Sequence, residues 1–299
     1  MNIKFKIILL SLFLFTISLS PEDIRIVYSS NLTGNLYSCI CGLKLSVGLA
    51  KRASFLKQIG VNPSKDILVD TGNSLDVKSS TDKANAIFES FQKLGYHAVG
   101  IGVNDLQENT ISILEDNRYQ TQSANLFQKG FFRTSSFGKQ ITYLKREDKT
   151  YGIINLTSPT ILYNLPSEVK SKLVVQNLET TLSKLTSSQG EMKADNWIIL
   201  LNGSKEEALK LASLNSNFLL IYGGEKNSAS PKSGYSEVNG VRIYSTGDLL
   251  GDKLGIITLT EQTKGYTVKS SEVIEMNIDK LTDSAEILSI MKKYNIKPE

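Results

Sequence analysis

The stretch RIVYSSNLTGNLYSCICG, which runs from Arg25 to Gly42, decides how the rest of the chain is interpreted. It begins with a short apolar run that predicts a β-strand, and this strand breaks into a polar loop marked by glycine. In open α/β sheets, ligands bind in the crevice outside the carboxyl ends of the strands. The loop after this first strand is therefore a candidate binding region.

Four later segments repeat the arrangement, because a buried strand ends in glycine and small polar residues in DTGN, GIGVND, LLNGS and YGGEKN. An amphipathic helical pattern at 48–60 lies between the first and second of these strands, and another at 83–95 lies between the second and third. The alternation of strand, loop and helix predicts an α/β fold with helices outside a sheet. Gly and Asn are ordinary turn formers, but five such loops at the same relative position favour a shared cleft.

The bulk composition is that of a folded, globular chain. Its 299 residues suit one large domain or two small ones, and an apolar content of 40% is enough to bury a sizeable core. The formal net charge of +4 is too small and too evenly scattered to indicate a nucleic acid polymer as partner. We expect a single domain over residues 21–299.

The segment at 1–20, MNIKFKIILLSLFLFTISLS, has the layout of a secretory signal peptide. Lys4 and Lys6 form a basic start, an apolar stretch follows, and Ser18 and Ser20 offer a cleavage site. An uncleaved membrane anchor is the alternative, although the stretch is shorter than the roughly 20 residues that a spanning helix needs. We expect an exported protein, periplasmic or extracellular, with no transmembrane segment after removal of the signal.

Cys39 and Cys41 are the only cysteines. An exported location permits a disulfide between them, although a Cys-x-Cys bridge closes a small, strained ring. A zinc site would need further ligands, and His97 is the only histidine in the chain. We interpret the two cysteines as a local disulfide or a free thiol pair, with a redox or metal role as the alternative.

Eight segments, taken together, resemble the calcineurin-like metallophosphoesterases, and in particular the N-terminal catalytic domain of secreted 5′-nucleotidases. The resemblance spans 24–260 and implies a four-layer α/β sandwich of two mixed β-sheets flanked by helices. Secreted 5′-nucleotidases carry a further C-terminal domain, which we expect to be absent. The segments, in chain order, are NLTG (31–34), VGLAKRA (47–53), VDTGN (69–73), GVND (102–105), SAN (123–125), LLNGS (200–204), GGEKN (223–227) and GDLLGDKLGIITL (247–259).

The chain departs from the family at the metal site. The family binds two divalent cations through carboxylates, imidazoles and one asparagine, and such a pair supplies a hydroxide nucleophile at neutral pH. A chain with a single histidine lacks the imidazoles for such a site. Asn104 stands where the resemblance implies the catalytic histidine, and the positions that match the metal ligands hold Asn31, Thr33, Asn73, Val103, Asn202 or Gly203, Glu225 and Asn227.

These departures favour an exported, metallophosphoesterase-like protein that is catalytically degenerate and binds a small polar ligand or a protein partner. We expect no cofactor, no metal and no catalytic residue. The residues expected to line the cleft are Asn31, Thr33, Asn73, Asn104, Asp105, Asn202, Glu225 and Asn227.

Two alternatives stay open at this point. The first is an active metal-dependent phosphoesterase, a nucleotide hydrolase with an atypical one-metal site. Asp70, Asp105 and Glu225 would then hold a hard divalent cation such as Mg²⁺ or Ca²⁺. The second alternative is a thiol-based role for Cys39 and Cys41.

Overall fold

The computed structural model describes residues 23–41, 44–130, 133–187, 193–214, 218–223, 235–246, 251–262 and 265–297. The predicted signal peptide lies outside these ranges. Short 3₁₀ segments cover Val103–Asp105, Pro159–Asn164 and Ile278–Lys280. The α-helices are α1 Leu49–Gln58, α2 Thr81–Lys93, α3 Ile111–Leu114, α4 Ser167–Ser171, α5 Leu178–Ser187, α6 Lys205–Ala212 and α7 Ala285–Lys293. No helix in the described ranges is both long and apolar enough to cross a membrane.

The strands follow the predicted alternation with the helices. They are β1 Ile24–Ser29, β2 Cys39–Cys41, β3 Lys44–Ser46, β4 Ile67–Asp70, β5 Ala98–Val99, β6 Gln122–Lys129, β7 Thr134–Gly138, β8 Thr142–Arg146, β9 Lys149–Thr157, β10 Leu173–Val175, β11 Asn196–Asn202, β12 Phe218–Gly223, β13 Tyr235–Val238, β14 Val241–Ser245, β15 Lys253–Glu261 and β16 Tyr266–Glu275.

Two mixed sheets form the centre of the fold. The first has the strand order β16-β15-β1-β4-β5, and the second has the order β13-β14-β12-β11-β9-β8. Strands β1, β4 and β5 are parallel to one another, and so are β9, β11, β12 and β14. Two smaller antiparallel sheets have the orders β10-β6-β7 and β2-β3.

Side chains of the central strands alternate between two core layers, as the strand period of two requires. In β1, Ile26 and Tyr28 belong to the core between the two sheets, while Val27 packs with residues of α1 and α2. In β11, Ile198 faces the first sheet and Ile199 packs with α5 and α6. Helices, sheet, sheet and helices therefore form four layers, which confirms the predicted α/β sandwich of two mixed sheets.

The centre of the sheet interface depends on one close approach. Tyr28 is 2% exposed, and its antiparallel register partner on β15 is Gly255. A Cβ atom added to Gly255 would overlap the Tyr28 ring. Because the ring lies between two packed sheets, it has little room to move away.

The Gly255→Ala variant should therefore lose about 1–3 kcal/mol of unfolding free energy, since the added methyl overpacks the interface. The double variant Gly255→Ala, Tyr28→Leu should lose less than the sum of the two single changes, because the smaller side chain removes the overlap. Urea unfolding followed by circular dichroism measures both values. Strict additivity of the two changes would contradict the contact.

His97 and Arg146 join the β8–β9 hairpin to the first sheet. The Arg146 guanidinium donates to the carbonyl oxygens of Pro63 and Asp66, at 2.9 Å each, and lies 3.0 Å from His97 Nε2. His97 Nδ1 accepts the N–H of Leu68 at 3.1 Å. Burial and the positive charge of Arg146 lower the pKa of His97 to about 4. The only histidine of the chain is thus a neutral packing residue at the start of β5.

The His97→Gln variant should show a flatter stability profile in acid than the wild type. The folded pKa of His97 is below its unfolded value of about 6.5. The unfolded chain therefore takes up the proton first, and stability that is intact above about pH 6.5 is lost as the pH falls towards 4. Between these limits, the unfolding free energy of the wild type relative to the variant should fall by about 2 kcal/mol. Parallel pH profiles in urea unfolding would contradict this.

Candidate functional site

The carboxyl ends of the parallel strands meet at one edge of the sandwich, which we call the mouth. It consists of the loop residues 30–36, 71–76, 100–106, 158–164, 203–204 and 246, together with the strand-end residue Asn202. Asn202 Nδ2 donates to the carbonyl oxygen of Thr71 at 3.2 Å, and Thr157 Oγ1 donates to that of Ile101 at 3.2 Å, so the two sheets are tied together here. Four of the five predicted loops share this face, and the fifth, at 224–227, lies outside the described residues.

Two asparagines of the first two loops bond to each other. Asn73 Nδ2 donates to Asn31 Oδ1 at 3.2 Å, and Asn73 Oδ1 accepts the N–H of Asn104 at 3.2 Å. Asn31 and Asn73 are buried and have left-handed φ angles of 52° and 59°, which asparagine tolerates better than most residues. Thr33 has a φ of 50°, which strains its β-branched side chain. Its N–H donates to the carbonyl oxygen of Asn73 at 3.0 Å.

Asp105 is fully buried and bonds to the backbone of two loops. Its Oδ2 accepts the N–H groups of Asn73 and Gly102 at 2.9 and 2.8 Å, and its Oδ1 accepts that of Leu75 at 2.8 Å. Burial raises the pKa of Asp105 to about 7, while the three N–H donors oppose this rise. The carboxylate oxygens therefore point into the protein and fix the loop after β4 to the loop after β5.

Asp70 belongs to a second buried network beneath the mouth. Its Oδ2 accepts from Ser29 Oγ at 2.6 Å, and its Oδ1 accepts the N–H of Gly72 at 2.8 Å. Arg52 is fully buried as well, and its Nη1 lies 3.9 Å from Asp70 Oδ2. Burial raises the pKa of Asp70, while the charge of Arg52 acts in the opposite direction. Asp70 thus balances a buried guanidinium.

Several buried polar atoms of the mouth have no hydrogen-bond partner among the described residues. Thr71 Oγ1, Thr246 Oγ1 and both side-chain polar atoms of Asn155 are unpaired, and these residues are 0% exposed. A Cβ at Gly223 would overlap Thr71 Oγ1 and Thr246 Oγ1 and lie 2.9 Å from Ser30 Oγ, so the three hydroxyls surround one small space. Buried polar atoms are rarely left unpaired, and such a group marks space for water or a ligand.

The structure brings five of the predicted cleft residues together in the first sheet's loops, and places the sixth across the mouth. Asn202 is that sixth residue, and its Nδ2 reaches the first sheet through the carbonyl oxygen of Thr71. Glu225 and Asn227 lie outside the described residues. So do the side chains of Cys39 and Cys41, whose backbones form β2. The five residues of the first sheet are Asn31, Thr33, Asn73, Asn104 and Asp105.

The sequence prediction missed the polar layer formed by Thr71, Asn155 and Thr246. A signal for two of these residues is present, because Thr71 and Thr246 both follow a buried strand and both precede glycine. Asn155 gives no such signal, since it lies inside the apolar strand β9. Only the pairing of β9 with its neighbours brings Asn155 close to the end of the first sheet.

The chemistry of these side chains does not fit a pair of divalent cations. Neutral amides and hydroxyls carry no charge to hold two dications together. The three carboxylates in and beneath the described mouth have protein partners: Asp70 and Asp105 accept hydrogen bonds, and Asp76 accepts the N–H of Lys78 and pairs with Lys83. In the described part of the chain, no group of three or more His, Cys, Asp or Glu side chains is placed to bind a metal ion. Two of the three residues of the one-metal alternative, Asp70 and Asp105, are thus engaged with protein partners, and the third, Glu225, lies outside the described residues.

The Asp105→Asn variant tests whether this carboxylate stabilises the fold by accepting three backbone N–H groups. The amide retains one acceptor oxygen but turns an NH₂ group towards a backbone N–H, so the unfolding free energy should fall by about 2–4 kcal/mol at pH 7. The control variant Asp283→Asn changes an exposed carboxylate and should stay within about 0.5 kcal/mol of the wild type. Equal unfolding midpoints in urea for Asp105→Asn and the control would contradict the assignment.

Comparison with known proteins identifies the fold. No protein-family model and no curated protein sequence matches the chain. Among solved structures, a 5′-nucleotidase precursor from Thermus thermophilus is 16% identical, with a TM-score of 0.74 over 91% of this chain and 58% of its own. The NAD nucleotidase of Haemophilus influenzae is 11% identical, with a TM-score of 0.71 over 92% of this chain and 60% of its own. This chain thus spans less than two thirds of the length of both proteins.

A third structure matches over nearly its whole length. The calcineurin-like phosphoesterase YfkN from Bacillus subtilis is 14% identical, with a TM-score of 0.70 over 92% of this chain and 97% of its own. Identities this low establish the shared fold alone. The chain therefore has the calcineurin-like metallophosphoesterase fold, and the resemblance to 5′-nucleotidases inferred from its motifs is confirmed at the level of the fold.

Proposed function

We propose that this chain is a non-hydrolytic binding protein on a metallophosphoesterase fold, and that its mouth binds a small polar ligand. One observation carries the proposal: the mouth retains the loops of the fold, but its described positions that match the metal ligands hold neutral side chains. Asn31 and Asn73 bond to each other across two loops, at the positions where the family resemblance implies metal-binding acids.

The charge of the mouth argues against hydrolysis. A metal-dependent phosphoesterase needs cations to activate water and to neutralise the phosphoryl oxygens. Cations in turn need carboxylates whose oxygens face the site, but Asp105 is committed to three backbone N–H groups and Asp70 to Ser29 and Gly72. Water at such a mouth keeps its ordinary acidity, and it is a poor nucleophile at neutral pH.

The buried, unpaired polar atoms support a small ligand over a protein partner. Thr71, Asn155 and Thr246 are fully buried at the end of the sheet interface, where the surface of another protein does not reach. A small molecule with hydroxyl or amide groups, or water held beneath it, supplies the missing hydrogen bonds. We also propose that the protein is exported, because its first 20 residues have the pattern of a signal peptide.

Metal analysis together with a turnover assay tests the proposal. After incubation with Mn²⁺, Zn²⁺ or Mg²⁺ and desalting, the purified protein should retain well under one equivalent of metal per chain. Added metal should give no turnover of nitrophenyl phosphate above the buffer rate. Elemental analysis and release of nitrophenolate measure the two quantities.

The variant Asn31→Asp, Asn73→Asp is a matched control, because it changes two amide nitrogens to oxygens and adds two negative charges at the mouth. Its Mn²⁺ affinity should rise at least about tenfold over that of the wild type, since carboxylate oxygens are preferred ligands of hard cations. Stoichiometric metal in the wild type, together with metal-dependent turnover, would overturn the proposed function.

A further inference from the structure

A cavity of about 140 Å³ opens at the second-sheet side of the mouth. It lies between the 3₁₀ segment Pro159–Asn164 and the start of α6. Its polar lining includes Ser158, Thr160, Asn164 and Asn202, and its apolar lining is Val103 and Ile161. A cavity of about 10–15 Å³ is enough to hold one water molecule, so this volume has room for a small ligand of about one sugar ring.

The described lining of this cavity carries no charged side chain. Glu207 is the adjacent acid, and its oxygens are engaged: Oε1 accepts from Ser158 Oγ at 2.6 Å and Oε2 accepts the N–H of Ser204 at 2.9 Å. The positive end of the α6 helix dipole is already offset by negative charge, because Glu206 and Glu207 occupy the first turn and Ser204 caps it. The helix dipole therefore offers little attraction to an anionic ligand.

The nearby cations lie outside the cavity lining, and Lys205, the first residue of α6, is exposed to solvent. Arg52 is 0% exposed, and its guanidinium faces Ser29 and Asp70 beneath the mouth. Lys83 pairs with Asp76 at 2.8 Å. A phosphate group placed in the cavity would thus lose part of its hydration without gaining a counter-charge from the described lining, which disfavours its binding.

We propose that the cavity binds an uncharged, hydroxyl-rich small molecule of the sugar or polyol class. This inference rests on the proposed function and specifies its ligand. Serine, threonine and asparagine side chains both donate and accept hydrogen bonds, and therefore match sugar hydroxyls, which do the same. Val103 and Ile161 supply an apolar surface for the C–H face of such a ring.

Matched pairs of neutral and phosphorylated sugars test this charge selection directly. Ribose and glucose are titrated against ribose 5-phosphate and glucose 6-phosphate in metal-free buffer, with NMR chemical shifts of isotope-labelled protein as the readout. At least one neutral sugar should bind with a Kd of about 1 mM or tighter. Its phosphorylated counterpart should bind at least about tenfold more weakly.

Two variants of cavity residues test whether the sugar binds in this cavity. Thr160→Ala and Asn164→Ala each remove an exposed polar group of the rim, and each should weaken binding of the neutral sugar about 3- to 10-fold. Thr180→Ala, an exposed change on α5, is the control and should leave the affinity unchanged. Asn164→Lys adds a cation at the rim, so it should tighten binding of the sugar phosphate at least about fivefold and leave the neutral sugar nearly unaffected.

Three results would overturn the inference: tighter binding of the sugar phosphate than of the sugar in the wild type, no binding of either neutral sugar, or equal affinities in Thr160→Ala, Asn164→Ala and the Thr180→Ala control. Failure of the proposed function has a different readout, namely metal-dependent turnover of nitrophenyl phosphate. Without that turnover, any of the three results removes only the sugar or polyol ligand and leaves the non-hydrolytic binding protein in place.

Discussion

The buried carboxylate of Asp105 is the constraint on which the mouth depends. It accepts the backbone N–H groups of Asn73, Leu75 and Gly102, and so joins the loop after β4 to the loop after β5. Asn73 is thereby held in a left-handed conformation from which its amide reaches Asn31. One inward-facing acid thus fixes the positions of two loops, because its two oxygens accept three backbone N–H groups from them.

At the mouth, two asparagine side chains have the shape of aspartate without its charge. Asparagine has nearly the size and shape of aspartate and tolerates the same left-handed backbone, so Asn31 and Asn73 fit the loops of the metallophosphoesterase fold without carrying its negative charge. Neutral amides attract divalent cations less strongly than carboxylates do, but they keep hydrogen-bond donors and acceptors in place. A site built in this way is suited to recognising a molecule by hydrogen bonds rather than to polarising a phosphoryl group.

Buried polar atoms near the sheet ends that have no partner among the described residues lower the stability of the fold. A buried hydroxyl or amide without a partner costs about 1–3 kcal/mol each, and Thr71, Thr246 and Asn155 lie within one region of the sheet interface. Apolar residues there would give a more stable core. The presence of polar side chains in a layer that is otherwise apolar is therefore consistent with a binding role, since binding energy offsets the cost when the ligand is present.

The sequence by itself predicted the alternation of strands and helices, because strand period and glycine turns are local properties. Residue identity placed neutral side chains at most of the positions that match the metal ligands, and the four-layer sandwich followed from the resemblance to the metallophosphoesterases. The sequence did not determine which polar groups face inward. Asp70 and Asp105, candidate metal ligands by residue type, bond to a buried guanidinium network and to backbone N–H groups. Thr71 follows a strand of the first sheet, whereas Asn155 lies in β9 and Thr246 follows β14, both of the second sheet. Only tertiary packing brings them together, since their proximity depends on long-range pairing and sheet-on-sheet contact, which no local pattern encodes.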